Sequence, residues 1–159
     1  MITAKELMNK RVICFEPEDS IFDAARIFAR EDISGAPVVE NDRLIGIVSI
    51  SDVVKFMTTK ITDSNIIEHE PQSLSFLLLN LAKMGKDYMG FKKEIGRLSH
   101  TKVKDVMSKE VLIISPDMTL IEIAELMDKK DVNRLPVIEK DKLVGMVSRA
   151  DLLKTLLGD

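Results

Sequence analysis

At 159 residues, with 45% hydrophobic and 31% charged side chains, the chain has the composition of a soluble globular protein with room for one compact domain or two small units sharing a core. Its 23 Lys and Arg stand against 26 Asp and Glu, a formal charge of −3, so there is no basic surplus to neutralise a phosphate backbone and global electrostatics give nucleic-acid binding no support. Aromatics make up only 4% and Trp is missing, which leaves the core to Ile, Leu, Val and nine Met, while the single cysteine excludes an internal disulfide and any cysteine-based zinc site within one chain.

The N-terminus, Met1 to Glu6, lacks the shape of a signal peptide, and no apolar run approaches the roughly 20 residues of a membrane helix; the expectation is a cytoplasmic protein with no membrane partner. Val12 to Phe15 reads as a short strand ended by Pro17, with Cys14 expected as a buried, inert thiol. A helix should follow, opened by the capping-box pattern Ser20-x-x-Asp23 and burying Ile21, Ala24, Ala25 and Phe28. Next come two strands, Pro37 to Val39 and Leu44 to Val48, joined by the polar turn Asn41-Asp42, and a closing helix from near Ser51. Residues 57 to about 100 break the pattern. Within them Gln72 to Lys83, with Leu74, Leu77, Leu78 and Leu81 behind Pro71, predicts an amphipathic helix, and Phe91 to Leu98 a second.

The first pattern then returns. Met8 and Met107, Pro17 and Pro116, Pro37 and Pro136, Gly46 and Gly145, and Asp52 and Asp151 are each 99 positions apart, so the halves align without a gap. The second copy predicts a strand at Val111 to Ile114 and a helix after Thr119-x-x-Glu122 that buries Leu120, Ile123, Ala124 and Met127. It then gives strands at Pro136 to Ile138 and Leu143 to Val147 about Lys140-Asp141, and a closing helix from near Ala150. The expected fold class is α+β (mixed α/β): two β-α-β-β-α repeats, residues 1–58 and 101–159, packed about a pseudo-two-fold axis, with a helical insert over 59–100.

The stretches Ile33 to Val39 and Leu44 to Asp52, and again Val132 to Ile138 and Leu143 to Asp151, resemble the CBS domain, named for cystathionine β-synthase. The resemblance covers the chain except its central insert. It implies a stand-alone tandem pair without catalytic machinery, usually dimerised, that regulates a partner protein by binding AMP, ADP, ATP, S-adenosylmethionine or a related adenosyl ligand in clefts between the repeats. No further cofactor is implied. In the family pattern Gly-h-h-Ser/Thr-x-x-Asp (h apolar), Asp holds ribose hydroxyls and Ser or Thr holds phosphate; those roles fall on Asp52 with Ser49 and on Asp151 with Ser148. Ala36, Pro37, Asn133, Arg134 and Pro136 occupy the accompanying ligand-contact positions, and basic residues at the place of Arg134 contact phosphate in related modules.

The chemistry of the residues is compatible with these roles. A carboxylate suits a ribose diol, and a hydroxyl beside free N–H groups at a helix N-terminus suits an anion. Gly46 and Gly145, without a Cβ, admit a ligand or another backbone. The alternative is that Ser49-x-x-Asp52 and Ser148-x-x-Asp151 are simply capping boxes; one helix end can also do both jobs. Arg134 and Arg149 stand where the first copy has Gly35 and Ile50, so the second site is expected to take the more anionic ligand. His69 and His100 lack ligand spacing and predict no metal site, and neither a Gly-rich phosphate loop nor a nucleophile–base set is present. Two other functions stay open. One is a ligand-independent dimerisation or docking module using Leu74 to Leu81. The other is a nucleic-acid-binding regulator using Lys83, Lys86, Lys92, Lys93, Arg97, Lys102 and Lys104.

Overall fold

The computed structural model describes residues 1–63 and 100–158; both expected helices of the insert, His69 and the leucine-rich docking surface lie outside them. In chain order the elements are helix α1 (Ala4–Leu7), α2 (Ile21–Glu31), strands β1 (Gly35–Glu40) and β2 (Arg43–Ser49), and α3 (Ile50–Asp63). The second half gives α4 (Val103–Val106), α5 (Leu120–Lys130), β3 (Arg134–Glu139), β4 (Lys142–Ser148) and α6 (Arg149–Leu157). Helices and short antiparallel strand pairs, β1–β2 and β3–β4, make up the mixed α/β class read from the sequence.

Local chemistry explains the boundaries. Ser20 caps α2 by accepting the Phe22 N–H at 3.2 Å. Its expected partner Asp23 instead pairs with Arg26 one turn on, at 2.8 Å, so the box is half formed. Thr119 and Glu122 make the full reciprocal pair: the Glu122 carboxylate accepts the Thr119 N–H at 2.8 Å, and Thr119 Oγ1 accepts the Glu122 N–H at 3.4 Å. Both helices end on an aspartate in the left-handed region, Asp32 (φ 52°) and Asp131 (φ 51°), a conformation short polar side chains tolerate. The hairpins turn through Asn41-Asp42 (φ 52° and 65°) and Lys140-Asp141 (φ 50° and 66°). Two consecutive positive φ values are the signature of a type I′ turn, whose twist matches that of the strands. In the second hairpin Val137 faces Gly145 but Ile138 faces Leu143, which leaves Val144 as a bulge.

The expected first strand of each repeat is a single parallel bridge, Phe15 to Val38 and Ile114 to Val137. Phe15 donates its N–H to Pro37 O at 3.0 Å and accepts from Val39 N at 2.8 Å; Ile114 does the same with Pro136 and Ile138 at 3.0 and 2.9 Å. Extended chain sends alternate side chains to opposite faces. Phe15 is buried, and Cys14 is therefore exposed as a free thiol, contrary to the buried reading. Partial desolvation by its neighbours nevertheless raises its pKa, which lowers its thiolate fraction.

The chain divides into two compact units, each of discontinuous segments: Met1–Phe15, Ala36–Ile47 and Ser108–Asp159, and Glu16–Gly35 with Val48–Met107. In the first unit Ala4, Leu7, Ile114, Ile123, Met127, Leu135, Val137, Val147 and Leu152 form the core. In the second, Ile21, Ala24, Phe28, Val48, Val53 and Val103 are buried. Each fully buried Val, Leu or Ile contributes roughly 1.5–3 kcal/mol. The segment leading into one repeat is tied to the other repeat's turn. At the start of α1, Ala4 N and Lys5 N donate to Met118 O (2.8 Å) and Pro116 O (2.9 Å); at the start of α4, Val103 N and Lys104 N donate to Asp19 O (2.8 Å) and Pro17 O (3.1 Å). These N–H groups have no intrahelical acceptor, so a one-turn helix forms where a neighbouring turn supplies carbonyls.

Candidate functional site

The two Ser-x-x-Asp motifs sit at strand-to-helix junctions. β4 runs into Ser148, which is the N-cap of α6. Asp151 Oδ2 accepts both the Ser148 N–H (2.8 Å) and its hydroxyl (2.8 Å), and Ser148 Oγ accepts the Asp151 N–H at 3.3 Å. Ser49 and Asp52 repeat this at the start of α3, with distances of 2.9, 3.0 and 3.2 Å. All four residues are half-buried. In both boxes one carboxylate oxygen makes the cap, and among the described residues nothing engages Oδ1. The cap thus leaves an acceptor for a hydroxyl donor; of the first-turn N–H groups, Ile50 and Arg149 donate to Ser34 O and Asn133 O and the two aspartates to their serines, which leaves those of Ser51 and Ala150.

Arg134, at the start of β3, is the Cα partner of Ser148, so the two side chains leave the same face of the hairpin about 5 Å apart at Cβ. Burial pulls the Arg134 guanidinium below its ordinary pKa, because desolvation penalises the charged form. Arg149 goes elsewhere. Its Nε donates to Val132 O at 3.2 Å, its Nη2 to Met127 O at 3.3 Å, and Nη2 lies 3.5 Å from an Asp131 carboxylate oxygen. It therefore closes the C-terminal end of α5, where the helix dipole favours a cation. Sequence reasoning missed this role, because Arg149 is eighteen positions from Asp131 and no local spacing signals the contact.

Asn133 is exposed and its carbonyl accepts the Arg149 N–H at 3.0 Å. Pro37 and Pro136 are almost fully buried, as is Ala36, and both proline carbonyls are occupied by the bridges described above. Gly145 meets a side chain of the protein rather than a ligand: a Cβ there would stand 2.5 Å from Met8 Sδ and 2.9 Å from Met8 Cβ.

A concave feature lies at the hairpin ends of the first unit. It encloses about 420 Å³ and is lined by Arg43, Leu44, Ile45, Lys109, Val111, Ile113, Ile138 and Asp141. None of the motif residues lines it, and sequence reasoning did not point to it. Of the basic run considered for nucleic acid, Lys102 and Lys104 are both paired to Glu18; the other five residues lie outside the described residues. His100 is exposed, and among the described residues no group of His, Cys, Asp or Glu has metal-binding geometry and no helix is long and apolar enough to cross a membrane.

Residues 4–59 and 103–158 each match the CBS domain family. Protein MJ1426 of Methanocaldococcus jannaschii is 39% identical over 155 residues, covering 96% of this chain and 90% of its own. Some relatives are longer; the chain spans 38% of protein MJ1232 of the same organism at 28% identity. Among solved structures, CBSX2 in complex with AMP superposes with a TM-score of 0.70 at 21% identity, covering 99% of this chain and 98% of that one. The CBS domain pair of MJ0100 in complex with 5-methylthioadenosine and S-adenosyl-L-methionine gives 0.65 at 19% identity, with 99% and 98% covered. With both halves matched and the fold shared along nearly its whole length, this chain belongs to the CBS domain family and carries the domain twice.

Proposed function

We propose that the protein is a regulatory rather than catalytic module that senses an adenosyl ligand of the AMP, ADP, ATP or S-adenosylmethionine class through its Ser-x-x-Asp caps and modulates a partner protein. The observation that carries this reading is the pair of boxes in which Ser49–Asp52 and Ser148–Asp151 cap a helix yet leave one carboxylate oxygen open. The ribose diol would donate to the aspartate, and the phosphate or other anionic end would take the remaining first-turn N–H, that of Ser51 or Ala150, with the serine hydroxyl turning to it from the aspartate. The ligands of CBSX2 and MJ0100 support the adenosyl class. Arg134, in register with Ser148 and lacking a charged counterpart at Gly35, favours the second repeat for the more anionic ligand. Asn133, Ala36, Pro37 and Pro136 serve as the frame of these sites, through backbone position and packing, and Arg149 by holding α5 against the cap. The exposed free thiol of Cys14 suits a reducing compartment such as the cytoplasm.

Isothermal titration with AMP, ATP and S-adenosylmethionine tests this. Saturable heats are expected, with Asp151→Ala removing the tighter event for ATP and Asp52→Ala leaving it. Ligand at a hundredfold excess over Kd should stabilise the fold by about 2.7 kcal/mol. No saturable heat and no rise in Tm at millimolar ligand would overturn the reading; equal losses from both variants would overturn the asymmetry.

A second reading, self-association as a homodimer, rests on a different surface. Ile121 (61% exposed), Leu153 (59%), Leu156 (69%) and Leu157 (75%) lie on α5 and α6, and Ile121 and Leu156 line one apolar hollow with Met1, Ile2 and Leu120, surface that a second copy would cover. Leu153→Glu with Leu156→Glu should halve the mass seen by light scattering; an unchanged mass would discard it.

A further inference from the structure

The hollow at the hairpin ends is built differently from the caps. β2 contributes Arg43, Leu44 and Ile45, the segment leading into the second repeat contributes Lys109, Val111 and Ile113, and Ile138 and Asp141 close the far side. Its volume of about 420 Å³ falls within the ~300–1,000 Å³ of small-molecule sites. Five of the eight lining residues are aliphatic, although polar atoms form the larger part of the exposed lining, and Ile113 keeps 49% of its surface exposed, an apolar face where a ring would gain burial. The rim carries two cations, Arg43 and Lys109, both exposed, and among the described residues neither has a carboxylate partner. Like charges lining one small hollow repel, and an anion shared between them removes that cost.

The same charges stand at the corresponding places of the other copy. Positions 99 residues from Arg43, Lys109 and Asp141 hold Lys142, Lys10 and Asp42, so both basic positions and the turn acid recur.

We propose that this hollow is a ligand site separate from the Ser-x-x-Asp caps, taking a small organic anion in which an apolar ring lies on Ile45, Val111, Ile113 and Ile138 and a phosphate or carboxylate bridges Arg43 and Lys109. Asp141 then accepts a donor on the ring, such as an N–H or hydroxyl. The site uses no ribose, so it stands whether or not the caps bind adenosyl ligands.

Naphthyl phosphate, a ring with one phosphate and no sugar, is the suitable test ligand, followed by NMR on protein labelled at the isoleucine δ1 methyls. The Ile45, Ile113 and Ile138 methyls should move saturably, while Ile21 and Ile123 in the two cores stay in place. Arg43→Glu with Lys109→Glu should weaken binding about tenfold or more, as expected for lost charge-assisted hydrogen bonds, with Arg43→Gln and Lys109→Gln as the milder pair should reversal disturb the hairpin. Asp52→Ala with Asp151→Ala should leave the shifts intact. Still methyls, shifts that survive charge removal, or shifts lost in the aspartate variant would each overturn the proposal, as would inorganic phosphate binding as tightly as the aryl phosphate.

Discussion

The two repeats place the same capping box at the same junction, yet hold it differently. Behind Ser49 comes Ile50, 37% exposed, whose side chain has no hydrogen-bond donor to offer. Behind Ser148 comes Arg149, which reaches two carbonyls at the end of α5 and the carboxylate of Asp131. Both copies share a backbone link, Ile50 N to Ser34 O and Arg149 N to Asn133 O, each at 3.0 Å; the second adds a side-chain tie from the start of its closing helix to the end of α5. The lesson is that a repeated motif fixes a local geometry, whereas its neighbours decide how rigidly that geometry is held and which ligand charge it tolerates.

The sharpest way to break the likeness is to remove the clearance under β4. Gly145→Val would drive a Cβ to within 2.5–2.9 Å of three Met8 side-chain atoms, and because Met8 Cβ is among them a rotamer change alone gives no relief. Overpacking of this kind costs about 1–3 kcal/mol, read as a lowered urea midpoint. Gly145→Ala should cost less, and less again in a Met8→Ala background. Should the double variant show no coupling, the close approach of Met8 is not what keeps the glycine.

Much of this was legible beforehand, for reasons that differ by element. The 99-residue offset and the polar pairs Asn41-Asp42 and Lys140-Asp141 located both hairpins, because a type I′ turn demands residues that accept positive φ over two positions. The caps at Ser148 and Thr119 were readable from spacing, since their hydrogen bonds span three residues. What escaped depends on distant partners. Val12 to Phe15 has the pattern of a strand but makes only one bridge, and α1 is a single turn held by Pro116 and Met118; sequence periodicity has no access to an acceptor more than a hundred residues away. The hairpin-end hollow joins Arg43, Lys109 and Asp141, which no motif spacing connects.

Smaller effects separate capping from ligand contact. Ser148→Ala removes the acceptor for Asp151 N–H and should lower stability by about 1 kcal/mol, and Ser49→Ala should do the same for α3. If capping were the whole role, Asp→Asn at 52 and 151 would cost a comparable few tenths to 1 kcal/mol and leave ligand titrations untouched. Arg149→Ala should cost roughly 0.3–1 kcal/mol through the dipole end of α5, less in high salt, while Ile50→Ala should show no salt dependence at all. A salt-independent loss at Arg149 would mean its stem packs and its charge does nothing.

The smallest difference sits in the turns that receive the lead segments. Glu18 faces Lys102 and Lys104 of the α4 segment; hydrogen bonds from Lys102 first, then Lys104, hold its carboxyl at about 2 against an ordinary 4.5. Asp117, at the corresponding place, is lowered mainly by the Ser115 hydroxyl, with its own backbone N–H second; the positions matching the two lysines are Thr3 and Lys5. Because the folded pKa of Glu18 lies below its unfolded value, its contribution is fully present above about pH 4.5 and vanishes as pH falls toward 2. Exposure and screening keep that contribution small. The stability gap between wild type and Glu18→Gln should therefore close across that window and narrow with added salt. The gap for Asp117→Asn should likewise close in acid, but hold in salt, since its causes are hydrogen bonds within the turn and no lysine. Equal salt dependence at the two positions would show that the charges of Lys102 and Lys104 do not hold α4 to the first repeat.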